Sequence, residues 1–319
     1  MNPLPLLALF LPGFFGLWDP DVERELLKQV GEKAFTTIFC PETKGGCGKF
    51  QNEAIFAERS ICPHCKTSLT VRVANRRNAP VSAFTERWAR GVVQEAVDLH
   101  FKGKYFVERG VACPELSLTG GSTADLAILR RQGKVNVKPQ DIVAVIEIKM
   151  SIIWNWQKGE TQPSSDFDVH RGRPSIFRSD SLLKAIGKGA IFRSAPASRT
   201  IPYLVIGNSP PPKGYYDKID GTVRLGIAQR FISLTPNPLI DQKATATRNP
   251  KSTLGGGFVR VDSVEELGAF LKEVIETDWV GLEGMTDRST LGRILKSLDP
   301  SAPPEKITDQ FLRKLQKSR

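Results

Sequence analysis

The chain has 319 residues, with 45 Lys and Arg against 34 Asp and Glu, a formal net charge of +11 and a pI near 9.5. Hydrophobic residues are 40% and charged residues 25%, which excludes an intrinsically disordered chain and leaves room for one large or two modest domains. A positive field of this size suits a polyanionic partner, either nucleic acid or an acidic membrane surface, and does not separate DNA from RNA.

Residues 1–18 carry no charge. A signal peptide is not expected, because no Lys or Arg precedes the apolar run and no small-residue cleavage site follows. Pro3, Pro5 and Pro12 also break the run too often for one membrane-spanning helix. The expectation is an apolar arm packed on the body or on a second subunit, then a short polar helix, together filling residues 1–36. No other segment approaches a membrane span, so a cytoplasmic protein without a membrane partner is expected.

Residues 37–79 hold Cys40, Cys47, Cys62 and Cys65, spaced C-x6-C-x14-C-x2-C. Two cysteine pairs about 15 residues apart read as a structural zinc site similar to a zinc ribbon, although the first loop is wider than usual. Disulfides fit poorly with a cytoplasmic chain. His64 lies inside the second knuckle, where it is badly placed to replace a thiolate, and Cys113 is a spare. A site closed by four cysteines holds a small module together and leaves no open position for catalysis. Its surrounding Lys44, Lys49, Lys66, Arg72, Arg76 and Arg77 could meet phosphates.

Residues 80–207 alternate helix and strand patterns. An amphipathic helix is predicted over 82–101 and strands over 104–111, 123–130 and 142–149. The third strand, IVAVIEIK, is apolar almost throughout and therefore central. A helix follows over 180–193, with Ser179 or Asp180 as N-cap, and then a buried strand over 201–207. The fold class is α/β, a mixed central sheet flanked by helices, plus the small cysteine module. Residues 208–319 form an extension that completes the core, with possible dimerisation or DNA-contact roles. In it Ser263 and Glu266 make a capping box for a helix to about residue 276, and residues 305–319 a basic helix.

Three side chains interrupt the apolar strands. Asp125 lies on the second, and Glu147 and Lys149 on the third. Residues two apart on a strand share a face, so Glu147 and Lys149 project together. Buried charges are costly unless paired or bound to a metal. If the two strands pair through their hairpin, Asp125 and Glu147 converge on one cation. Two carboxylates are hard oxygen ligands for Mg²⁺, and a neighbouring lysine can orient a water or stabilise phosphorane charge. A second E-x-K, Glu42-Thr43-Lys44, lies in a polar Gly-rich loop and lacks this setting.

The pattern D-x21-E-I-K, on this order of elements over 80–207, resembles the PD-(D/E)XK nuclease superfamily. Where the family has Pro before the Asp, this chain has Ala124. The resemblance implies Asp125 and Glu147 as Mg²⁺ ligands and Lys149 as the catalytic lysine. Many members add a glutamate from the first core helix. At 100° per residue, Glu95 falls about 20° from Phe84, within the stripe Phe84, Trp88, Val92 and Leu99, while Glu86 falls at about 200°. Glu95 is therefore the supporting candidate. Beyond the centre, Arg171, Arg173, Lys184 and Lys188 are candidate phosphate contacts, and Asn155 and Trp156 belong to a loop that could read bases. The implied function is a Mg²⁺-dependent, site-specific endonuclease of double-stranded DNA, similar to type II restriction enzymes, working as a homodimer on a palindromic site without an organic cofactor. The alternatives are a repair, recombination or mobile-element nuclease of the same fold, and a non-catalytic zinc-module DNA-binding protein.

Overall fold

The structure, a computed structural model, describes residues 17–50, 61–62, 64–68, 74–133, 136–154, 156–161, 174–235, 251–277, 279 and 288–317. Its centre is a six-stranded mixed sheet whose spatial order follows the chain: β1 (Phe106–Val111), β2 (Ala124–Leu129), β3 (Ile142–Lys149), β4 (Tyr203–Gly207), β5 (Arg230–Ser233) and β6 (Phe258–Arg260). The first three strands pair antiparallel, and β3 through β6 run parallel. Antiparallel neighbours can be joined by short loops, whereas parallel ones need crossovers. Accordingly β2 and β3 are joined by the loop 130–141. Helix α3 (Ser179–Ser194) lies between β3 and β4, and α4 (Tyr216–Arg224) between β4 and β5.

The central strand β3 matches its sequence pattern residue for residue. Ile142 to Ile148 are all buried because helices cover both faces. On one face Leu126, Ile128, Ile146, Ile148, Leu204 and Ile206 pack against α1 (Pro20–Ile38), α2 (Ala74–Phe101) and α5 (Val264–Glu276). On the other face Ala127, Leu129, Val145, Tyr203 and Val205 pack against α3 and α4. The described residues of 208–276 thus extend the same sheet and the same two cores. The apolar arm lies outside the described residues except for Leu17 and Trp18, which are buried. The Trp18 N–H donates to Leu234 O at 3.0 Å.

Two further helices are α6 (Arg288–Lys296) and α7 (Pro304–Lys317), the latter covering the described part of the predicted basic helix. Helix α5 begins where its cap was read. The Ser263 hydroxyl accepts from the Glu266 N–H at 3.2 Å, but the Glu266 carboxylate accepts from the Asp262 N–H at 2.9 Å rather than from Ser263. Ser263→Ala is expected to cost about 1 kcal/mol, read as a lower urea midpoint at constant m. An unchanged midpoint would show that the cap contributes nothing. Among the described residues, no helix is long and apolar enough to cross a membrane.

Helix α3 approaches the sheet closely. A Cβ on Gly189 would lie 2.9 Å from the Tyr203 ring, so only glycine permits this spacing. The Tyr203 hydroxyl donates to Ala185 O at 3.0 Å. At the far end of α3, half-buried Arg193 donates to Ile201 O at 2.7 Å, Gly226 O at 2.8 Å and Gln229 Oε1 at 2.6 Å. These contacts fix the helix against β4 and set where its inward side chains reach.

Candidate active site and metal centre

Asp125 and Glu147 meet at the C-terminal end of β3. The register Leu126↔Ile146 brings Asp125 beside Glu147 on the neighbouring strand, on the α3 face of the sheet. Asp125 Oδ2 accepts the Ile148 N–H at 2.9 Å, which holds the carboxylate toward β3. Lys149 Nζ pairs with Glu147 Oε1 and lies 3.8 Å from Asp125 Oδ2. The strand alternation that placed Glu147 and Lys149 together is the arrangement observed.

A second ammonium enters from α3. Lys188 Nζ lies 3.4 Å from Asp125 Oδ1 and 2.5 Å from Glu147 Oε2. The contact to Oε2 is an ion pair without the angle of a hydrogen bond, so Oε2 is a buried oxygen that accepts no directed hydrogen bond. The Glu147 side chain is only 4% exposed. Burial, and then the charge of Asp125, push its carboxyl above the usual glutamate range against the pull of the two lysines. Burial alone would lower Lys188, but the carboxylates of Asp125 and Glu147 hold it above the usual lysine value. Two carboxylates and two ammoniums thus form a neutral cluster at the sheet end. Both carboxylates reach one ammonium, so both can reach one cation.

Several residues expected at this site are elsewhere. Glu95 is exposed on α2. The buried seam of that helix runs through Ala89, Val93, Ala96 and Val97, whereas Leu99 is 47% exposed. The seam is rotated toward these small residues because α5 packs there, with Gly268 close to Ala96 O. Helix α2 also covers the sheet face opposite to the carboxylates. Glu86 pairs with Arg109 of β1 at 3.0 Å. Trp156 is 2% exposed and is a core residue, not a base reader. Lys184 and Lys188, both expected as phosphate contacts, have different surroundings. The Lys184 side chain is 76% exposed beside Asp180, while that of Lys188 is 16% exposed and turned inward on its long stem. Asn155, Arg171 and Arg173 lie outside the described residues.

The four cysteines come together. Their Sγ atoms all lie within 4.8 Å of one another, with Cys40–Cys65 at 3.6 Å and Cys47–Cys62 at 3.8 Å. None of the four is in a disulfide, and the spacings are far beyond an S–S bond. Four ligands at about 2.3 Å from a tetrahedral Zn²⁺ stand roughly 3.8 Å apart. The set could therefore hold a metal ion such as zinc. Local sequence builds it. Gly46 has no room for a side chain, since a Cβ would meet Cys40 Sγ at 2.4 Å, and this close turn lets the Cys47 N–H donate to Cys40 Sγ at 3.4 Å. His64 Nε2 is 3.0 Å from Phe50 O, away from the thiols. Burial pushes the Cys40 and Cys47 thiols up, so a bound cation is what would let them ionise.

Sequence reasoning missed Glu23. This α1 residue is fully buried and accepts four N–H donors. Oε1 accepts from the Trp154 N–H at 2.8 Å and the Trp156 indole at 2.9 Å. Oε2 accepts from the Ile153 N–H at 2.7 Å and the Trp18 indole at 3.0 Å. Burial raises its carboxyl to about 7 although all four donors pull it down. The segment that leaves Lys149 is thereby tied to α1. The next residues pair with the cysteine module: the Phe50 N–H donates to Trp156 O at 3.0 Å and the Lys158 N–H to Gly48 O at 3.1 Å. On the other flank Asn208 clasps Ser151, accepting its N–H at 3.1 Å and donating to its carbonyl at 2.7 Å.

No family model, curated protein or solved structure matches the chain. The site is therefore characterised by its own geometry: a carboxylate pair with two lysines at a sheet end, and a separate four-cysteine cluster braced against the segment that follows.

Proposed function

We propose that this chain is a Mg²⁺-dependent endonuclease of double-stranded DNA, site-specific in the manner of type II restriction enzymes and acting as a cytoplasmic homodimer. The observation that carries the reading is the convergence of Asp125 and Glu147, from adjacent strands, with Lys149 on their common face. The resemblance of this pattern to PD-(D/E)XK nucleases and the +11 net charge support it.

Asp125 and Glu147 would hold the Mg²⁺, a fit supported by their shared reach to one ammonium, that of Lys188. When bound, the ion polarises the scissile phosphate and acidifies a bound water. The Ile148 N–H keeps Asp125 oriented. Lys149, beside both carboxylates, would orient the attacking water and offset charge on the pentavalent phosphorus. The four-cysteine module, as a zinc site, would be structural and would hold the segment 156–158 through the Phe50 N–H and Gly48 O.

The test is incubation with a phage DNA mixture, with Mg²⁺ or with EDTA, beside Lys149→Ala. Discrete bands that need Mg²⁺ and weaken by about 10²–10³-fold in the variant are expected. Binding without cleavage would move the weight to a non-catalytic DNA-binding protein. Cleavage unchanged in the variant would remove Lys149 from the centre.

A further inference from the structure

The four carboxylate oxygens of the cluster are not equivalent. Asp125 Oδ2 is committed to the Ile148 N–H and faces Lys149, and Glu147 Oε1 also pairs with Lys149. The other two oxygens, Asp125 Oδ1 and Glu147 Oε2, both turn to Lys188 at 3.4 Å and 2.5 Å. Oε2 is the buried atom that accepts no directed hydrogen bond. One oxygen pair therefore belongs to Lys149, and the pair best suited to a divalent cation belongs to Lys188.

We propose that Lys188 is a built-in competitor cation: its ammonium neutralises Asp125 Oδ1 and Glu147 Oε2, and a divalent ion displaces it toward a phosphate of the substrate. The inference rests on the nuclease reading of the site. Adding a dication to a neutral cluster leaves the ammonium beside a like charge, and repulsion at such distances is strong near a protein interior. The lysine stem is long enough to move its head group, and a phosphate is the partner that relieves the repulsion. Metal and DNA backbone then bind cooperatively, each raising the affinity of the other by the same factor. A lysine that served only to stabilise the fold would create no such coupling.

The experiment titrates Ca²⁺, a hard oxygen-seeking probe, calorimetrically into the full chain. It compares wild type, Lys188→Met, Lys188→Arg and Asp125→Asn, each with and without a short duplex. In wild type, DNA is expected to tighten Ca²⁺ binding about tenfold or more. Lys188→Met, which keeps an apolar stem, should bind Ca²⁺ about tenfold tighter than wild type without DNA and lose most of the coupling. Lys188→Arg should stay near wild type. Coupling absent from wild type overturns the proposal without any variant. Equal Ca²⁺ affinity in wild type and Lys188→Met, with binding still lost in Asp125→Asn, overturns it while sparing the nuclease reading. Ca²⁺ binding that Asp125→Asn leaves intact sinks both.

Discussion

Replacing Cys40 by Ser, or stripping the protein with a strong chelator, is expected to unfold the cysteine module while the six-stranded sheet survives. Among the described residues, the module has almost no core of its own. Its buried cluster is Cys40 and Cys62, with Cys47 packed against them. A unit of that kind is held by metal–thiolate bonds, which in small zinc modules contribute on the order of 10 kcal/mol. The two apolar cores on the faces of the sheet do not include the thiols, so they should persist. The readouts are metal content, expected at about one ion per chain, and amide exchange. Protection should fall at Phe50 and Lys158, whose N–H groups join the module to the segment 156–158, and remain on β3 and β4. Purified protein without metal, or unchanged protection after chelation, would contradict a structural metal site. Because the same segment leads back to Lys149, cleavage should also weaken on chelation of the thiolate-bound ion even with Mg²⁺ in excess.

The second large effect is expected at Glu23. Glu23→Ala would leave two indole and two backbone N–H groups buried without an acceptor. Removing one side of such a network costs about 3–5 kcal/mol, a large share of the stability of any domain. The loss should appear as a lower urea midpoint, and a loss below about 1 kcal/mol would show that water or rearrangement satisfies the donors. The pH dependence has a definite sign. The Glu23 carboxyl is raised to about 7 in the folded chain from an ordinary 4.5, so the folded state binds the proton more tightly. Its contribution is fully present below the unfolded value and is lost as pH rises through about 7, a change of up to about 3 kcal/mol. Glu23→Gln does not titrate, so the stability gap between wild type and this variant should shift by that amount across the window. A flat gap would mean that the four donors keep Glu23 ionised throughout.

Much of the fold could be read from local pattern. Strand β3 was legible because an eight-residue apolar run ending in two charges has few other solutions. The cysteine quartet was legible because ligand spacing is a local property, and the Ser263 cap because one side chain and one amide three residues on suffice. Helix α2 shows the limit. Its period was correct, but the seam between Phe84 and Leu99 was misplaced because the packing partner, α5, lies far along the chain. Glu95 consequently moved from the expected interior to the surface. Trp156 failed in the opposite direction: in a loop with Asn and Gln it read as an exposed contact, yet an acceptor more than a hundred residues upstream holds it in the core.

What the sequence determined by itself was the period of each element, the pairing of Glu147 with Lys149 on one face of a strand, and the supply of four closely spaced thiols. These follow from backbone geometry within a few residues. What only the tertiary structure decided was which charges meet across elements. Asp125 faces Glu147 through strand register, and Lys188 enters their cluster because Gly189 lets α3 lie close on Tyr203. Glu23 governs the segment beyond Lys149 because burial left four donors with one acceptor. Such encounters depend on the depth and rotation at which distant elements pack, and no local period encodes either.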